Sequence, residues 1–339
     1  MKKQKVLVSV TGLMAVAVLS ACGGENDTVE ESAQADETEN TSAELTEMTQ
    51  VTSWFPQIES AGQYMADMEG YYEEEGIDMT TDPGGPEVSS VSIVASGNAE
   101  IGMAQGDEVL LAIEEGIPLV AVMANFQQSL QGIMYHGEHD VSDFDDLAGD
   151  FEIFTSAGAG YWEYLVASTD IEQEQNAVYS GDQSAFVSNS DAASQMYITS
   201  EPYYLDQEGV DVGTLLISDS GYENYGDVLF TTEEFYEENP ELVQAYVDAT
   251  VRGWEQFQED PESVYDYVHD LADNDSSTDQ MEYATEQMDE HVYGGDAVEN
   301  GVGYMSEERW QQLIDQLTEL GVIESGMEAS DVFVSDFID

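Results

Sequence analysis

Residues 88–116, VSSVSIVASGNAEIGMAQGDEVLLAIEEG, decide the fold class. Val88–Ser96 reads as a helix closed by Gly97, a residue suited to the left-handed position after a helix end. Glu100–Met103 is a short apolar run and reads as a strand. Asp107–Glu115 returns to helical character and is closed by Gly116. Helix, strand and helix in such quick succession predict an α/β fold.

The same alternation extends both ways. Further strands are expected at Gln50–Trp54, Ile77–Thr81, Leu119–Asn125, Gly132–Tyr135, Phe151–Thr155, Ser194–Thr199, Gly213–Ile217 and Asp227–Thr231. Helices are expected between them at Ser60–Glu75, Gly160–Ser168, Gln183–Ser188 and Glu201–Glu208. After about Thr232 the chain turns helical. Glu241–Phe257 carries Leu242, Val243, Tyr246, Ala249, Trp254 and Phe257 at helical spacing, and Pro261–Ala272 and Asp279–Val292 read alike. Ser306–Leu320 has a serine cap, Glu307 and Glu308 in its first turn, a stripe of Trp310, Leu313, Ile314, Leu317 and Leu320, and Gly321 as its stop. Trp254 and Trp310 are expected in the core.

The amino terminus has a different character. Lys2, Lys3 and Lys5 precede the apolar run Val6–Leu19, and small residues lead to Cys22, the one cysteine of the chain. That is the pattern of an export signal, too short and too early for an ordinary membrane span. It resembles a bacterial lipoprotein signal, with 1–21 removed and Cys22 acylated. Residues 22–47 are mostly Glu, Asp, Thr, Ser and Ala, and are expected to form an acidic flexible linker between membrane and body.

Charge narrows the partners. The 339 residues carry 73 acidic and 5 basic side chains, a formal charge of −68. With 1–21 removed, Arg252 and Arg309 are the only basic residues left. Such a surface repels nucleic acid and anionic lipid. Molar salt relieves the self-repulsion, because the screening length falls to about 3 Å, so the acidity reads as adaptation to a saline medium. The 42% hydrophobic and 10% aromatic content opposes disorder in the body.

Absences exclude several chemistries. Beyond the leader there is no lysine for a Schiff base, a P-loop or a general base, and no free cysteine nucleophile. His136 and His139 lack the partner set of a zinc site, and Asp273-Asn274-Asp275 lacks the central glycine of a calcium loop, with Ala284 at its bidentate-glutamate position. No metal and no cofactor are expected, nor is any catalytic residue.

What remains is a set of strand-to-helix junctions built of small, amide and aromatic residues. These are Met103–Glu108, Thr155–Glu163 and Thr199–Tyr204, together with Trp54-Phe55-Pro56 after the first strand. In parallel α/β sheets such junctions line up at the carboxyl ends of the strands, where ligands bind. Trp54, Phe126, Tyr161, Trp162 and Tyr203 are candidate stacking walls, and Gln105, Asp107, Gln127, Glu163 and Glu201 candidate edge partners. Aromatic faces with amide and carboxylate edges suit a flat nitrogen-bearing ring.

A resemblance then joins these pieces. Val51–Pro56, Ala61-Gly62-Gln63-Tyr64, Gly70-Tyr71-Tyr72, Glu75–Asp78, Val94–Gly102 and Gly116–Ala121 resemble the opening of ABC-importer substrate-binding proteins of the NMT1/THI5-like group. Ser200–Tyr204, Asn239–Val243 and Arg309-Trp310 continue it, over roughly residues 50–325. The resemblance implies a type II two-lobe periplasmic-binding-protein-like α/β fold with two crossover strands and C-terminal helices packed on lobe I. Lobe I would comprise 48–138 and 232–339, and lobe II 139–231. It further implies a lipid-anchored, extracytoplasmic solute receptor at the outer face of the cytoplasmic membrane, delivering ligand to an ABC permease and its ATPase. A thiamine-precursor pyrimidine is the expected ligand, riboflavin the alternative, and a ligand sensor docking to a receptor a further one. A monomer is expected. The pyrimidine synthases of this fold use a lysine, a histidine and a cysteine cluster; this chain lacks the lysine and the cluster, so that activity is not carried over.

Overall fold

The computed structural model describes residues 45–339 apart from 86–87, 157–158, 181, 273–275, 325, 335–336 and 339. Cys22, the expected signal, most of the expected linker and Asp273–Asp275 lie outside the described residues.

Two five-stranded sheets organise the body. The first contains β1 (Thr46–Val51), β2 (Ile77–Asp82), β3 (Ile101–Ala104), β4 (Leu119–Phe126) and β10 (Gly226–Thr232), in the order β2-β1-β3-β10-β4. The second contains β5 (Gln131–His136), β6 (Glu152–Thr155), β7 (Asn176–Val178), β8 (Ala192–Tyr197) and β9 (Val212–Leu216), in the order β7-β6-β8-β5-β9. In each sheet one strand runs against its neighbours: β10 is antiparallel to β3 and β4, and β5 to β8 and β9. The chain passes between sheets at 127–130 and again at 217–225.

These crossings correct two expectations. Gln131–His136, expected in lobe I, pairs with β8 and β9 in the second sheet, while Gly226–Thr232, expected almost wholly in lobe II, pairs in the first. Both runs are apolar and buried, and nothing in a single strand's pattern states which sheet will bury it. At the amino end β1 starts earlier than expected: Thr46 and Glu47, assigned to the linker, sit opposite Ile77 and Asp78.

The helix expected over Ser60–Glu75 is two helices, Ala61–Met68 and Tyr71–Glu74. Gly70 separates them at φ 76°, a left-handed angle that ends a helix. β7 was not anticipated, because three residues hold too little periodicity to register.

The C-terminal helices pack on lobe I. Pro240–Glu259 lies against Ala61–Met68, and Gly253 makes the approach possible: a Cβ there would stand 2.0 Å from the carbonyl oxygen of Gly62. Trp254 is wholly buried, and its indole N–H and the Gln63 amide both donate to Asn125 Oδ1, at 3.0 and 2.9 Å. Trp310 is likewise buried, against Tyr225 and Phe333. The carboxyl-terminal segment shields the edge strand β4: Ala121 N–H donates to Val332, Val334 N–H to Ala121, and Ala124 N–H to Gly303. An exposed strand edge would otherwise invite pairing with another chain.

Candidate functional site

Strand direction brings the loops that matter to one edge of each sheet. In lobe I the carboxyl ends of β1, β2, β3 and β4 lead into Ser53-Trp54, Pro83-Gly84-Gly85, Gln105-Gly106-Asp107 and Gln127. Because β10 runs the other way, its starting residue pair Gly226-Asp227 joins the same edge. In lobe II the ends of β6, β7 and β8 present Ser156, Tyr179 and Ile198-Thr199, beside Gln131 at the start of β5. The crossovers at 127–130 and 217–225 hold the two edges face to face.

The junction at Gln105 is tightly built. Its helix, Gly106–Glu114, starts with a capping box between Gln105 and Glu108. Ser129 Oγ donates to Gln105 Oε1 at 3.0 Å, and Gln105 Nε2 donates to Asp227 Oδ1 at 3.2 Å. Asp107 is buried and is held by the returning crossover, accepting from Tyr222 O–H at 3.0 Å and Asn224 Nδ2 at 3.1 Å. Gly160, at the start of the lobe II helix Gly160–Ser168, closes on the same carboxylate: a Cβ there would stand 2.8 Å from Asp107 Oδ2.

Opposite lies a lobe II amide and phenol array. Gln131 Nε2 donates to Tyr197 O–H at 3.0 Å, Tyr161 O–H donates to Gln195 Oε1 at 3.2 Å, and Ser156 N–H donates to the same Oε1. Ser129, Gln131, Tyr161, Tyr222 and Asn224 line a narrow crevice next to the hinge.

Carboxyls dominate the electrostatics. Burial pushes Asp227 up to about 7, with Ser53 lowering and the nearby Glu59 raising it. Burial raises Asp107, offset by hydrogen bonds from Tyr222 and Asn224. Glu59 and Glu201, from opposite lobes, are each raised by burial, and Glu59 further raises Glu201. Glu108 is raised by the protein packed around it and by Asp107 and Asp227, although its side chain keeps an open path to water. Arg252 is spent on Glu74 and the Tyr71 ring, and Arg309 on Glu223 and the Tyr225 ring.

The sequence-derived candidates divide. Gln105, Asp107, Tyr161 and Glu201 are brought to the facing edges, Glu201 accepting from Tyr197 N–H at 2.8 Å. Trp54 stands at the edge of lobe I, 45% exposed and edge-on to Phe55. Tyr203 packs on Tyr283 of the C-terminal helix Thr278–Tyr293, at a seam between the lobes. The others are corrected. Phe126 turns into the lobe I core against Trp254, and Trp162 into the lobe II core, donating to Gln173. Gln127 is consumed by Tyr304 and Arg309, and exposed Glu163 contacts Gln173 behind the helix. Neighbours in sequence alternate between groove and core, so a junction motif names more residues than can face a ligand. Asp227, Glu59, Gln131, Gln195 and Tyr197 also reach this region and belong to none of the sequence motifs above. Of these, Asp227 alone left a trace, in the Tyr225-Gly226-Asp227 turn before an apolar strand.

With this geometry in place, comparison with known proteins is decisive at the level of family. The model of the family described as NMT1/THI5 like matches residues 57–264. The chain belongs to the NMT1/THI5-like family. Among curated relatives, the riboflavin-binding protein RibY of Chloroflexus aurantiacus is 22% identical over 349 residues, covering 98% of both chains. The formylaminopyrimidine-binding protein of Halalkalibacterium halodurans is 25% identical over 301 residues, covering 83% of this chain and 88% of its own. The alkanesulfonate-binding protein SsuA from Xanthomonas axonopodis pv. citri shares the two-lobe fold, with a TM-score of 0.64 at 13% identity over 86% of this chain and 99% of that one.

Proposed function

We propose that this member of the NMT1/THI5-like family is an extracytoplasmic solute-binding lipoprotein of an ABC importer, and that it carries out no bond-making. One observation carries the reading: two sheet edges, joined through two short crossovers, face one another with amide, phenol and carboxyl groups. The curated relatives, both binding proteins, support it. We divide the lobes at the crossovers, 127–130 and 217–225. A solute would enter with the lobes apart and be enclosed as they rotate together, a hinge motion. Lobe closure would then present the loaded surface to the permease.

The ligand we favour is a small planar nitrogen heterocycle, a thiamine-precursor pyrimidine, stacked by Trp54 and Tyr161 and met at its edges by Gln105, Asp227 and the Gln131–Tyr197 pair. Riboflavin is the second reading, favoured by the full-length similarity to RibY. Acylation at Cys22 would tether the body to the outer face of the cytoplasmic membrane, and the acidic surface would suit a saline exterior. Native mass spectrometry of protein purified in molar salt, then calorimetry with the pyrimidine and with riboflavin, tests the assignment. A ring compound retained and bound at micromolar or tighter affinity supports it; turnover of the bound compound overturns it.

A further inference from the structure

We propose that Asp227 selects the ligand: held in place by Gln105, it takes the N–H edge of the bound solute, so the groove admits amines, amidines and ring N–H groups and turns away oxyanions. The proposal rests on the reading of the groove as a solute site and specifies its chemistry.

The position of Asp227 is enforced. Among the described residues it is the one non-glycine with a positive φ, at 43°, and it is 6% exposed. Aspartate tolerates the left-handed region better than most residues, yet the conformation still needs support from its surroundings. Support comes from a relay. Ser129 O–H donates to Gln105 Oε1, which fixes the amide so that its NH₂ points at Asp227 Oδ1. A residue of the first crossover thereby orients a carboxyl on β10, the strand entered from the second.

Its surroundings lack a cation. Glu59 and Glu108 of lobe I lie near, Glu201 of lobe II adjoins Glu59, and Tyr197 of lobe II is close enough to feel the charges of Asp227 and Glu108. Both arginines of the described residues are engaged elsewhere. An anion placed here would meet several carboxyls in a poorly screened space, whereas a donor or cation would be stabilised by them.

Across the seam the lobes also meet without a cation: Thr199 is wholly buried beside Glu59, with its hydroxyl toward that carboxyl. Thr199 is anchored from lobe I through its carbonyl, which accepts from Gln280 Nε2 at 3.0 Å.

The test uses the full chain in molar salt and four probes: 4-amino-5-hydroxymethyl-2-methylpyrimidine, riboflavin, the linear diamine putrescine and an alkanesulfonate. Calorimetry is run on wild type and Asp227→Asn, a substitution that keeps the left-handed backbone accessible. Whichever donor-bearing probe binds wild type should bind Asp227→Asn at least tenfold more weakly, with an unchanged circular dichroism spectrum, and the sulfonate should bind neither. Binding of putrescine alone, lost in the variant, would retire the planar-ring reading and uphold this one. Sulfonate binding to wild type, or equal affinity of the two proteins for a donor-bearing probe, overturns the role of Asp227 and leaves the solute-receptor reading standing. Failure of every probe overturns both.

Discussion

Tyr222 donates to Asp107 at 3.0 Å across the seam where the second crossover returns to lobe I. Gly160 of lobe II rests on that pair, a Cβ at its position lying 2.8 Å from Asp107 Oδ2 and 3.1 Å from the Tyr222 oxygen. The missing side chain at 160 is therefore a condition of lobe closure.

Gly160→Ala should hinder closure more than folding. Displacing a hydrogen-bonded carboxylate costs on the order of 1–2 kcal/mol, which weakens ligand binding roughly tenfold. Calorimetry alongside small-angle scattering checks it; a variant that binds normally and stays equally compact would show that Asp107 yields freely.

Arg309 ties both crossovers to the helix Glu307–Glu319. It donates to the carbonyl of Gln127, pairs with Glu223 at 3.2 Å and lies over the Tyr225 ring at 4.1 Å. Arg309→Ala leaves a carbonyl and a carboxylate without their donor and should cost about 2–3 kcal/mol. Arg309→Lys should recover little, since an ammonium cannot supply the fork and the stacking plane together. Urea unfolding at fixed high salt measures both.

Asp227 makes stability depend on pH. Its carboxyl titrates near 7 in the folded chain against about 3.9 unfolded. The folded state therefore holds its proton longer, and stability present below pH 4 is lost as pH rises towards 7. Asp227→Asn escapes this loss. Relative to wild type it should gain little at pH 4 and on the order of 4 kcal/mol at pH 8. A gain of equal size at both pH values, read as melting temperature, would contradict the assignment.

Trp54 is nearly half exposed, so truncating it removes little from the core. Trp54→Ala should leave the melting temperature almost unchanged and weaken ligand binding more than tenfold. Full affinity in that variant would remove Trp54 from the site.

Screening governs the folded state of a chain with charge −68. Moving from molar to millimolar salt lengthens the screening distance from about 3 Å to well beyond 10 Å and should lower the melting temperature and the near-ultraviolet dichroism together. Indifference to salt would show that the acidic groups are too dispersed to repel.

The residues that build the elements were legible because burial leaves a periodic mark. Helix Glu307–Glu319 was visible from Ser306, its apolar stripe and Gly321, and other helix ends from their glycines. The site was legible only in part. Gln105 and Asp107 stood in a strand-to-helix motif, but so did Trp162 and Glu163, which with Phe126 and Gln127 fold into other surroundings.

By itself the sequence determined the α/β class, the helical carboxyl terminus and the scarcity of cations, since each follows from local spacing or from counting, while the two lobes were implied by the family resemblance. Tertiary structure alone decided which sheet receives Gln131–His136 and Gly226–Thr232, and thus that Asp227 reaches the groove beside Gln105. Those two residues are separated by more than a hundred positions along the chain. They meet because β10 pairs antiparallel to β3, a register fixed by long-range hydrogen bonds that no local pattern encodes.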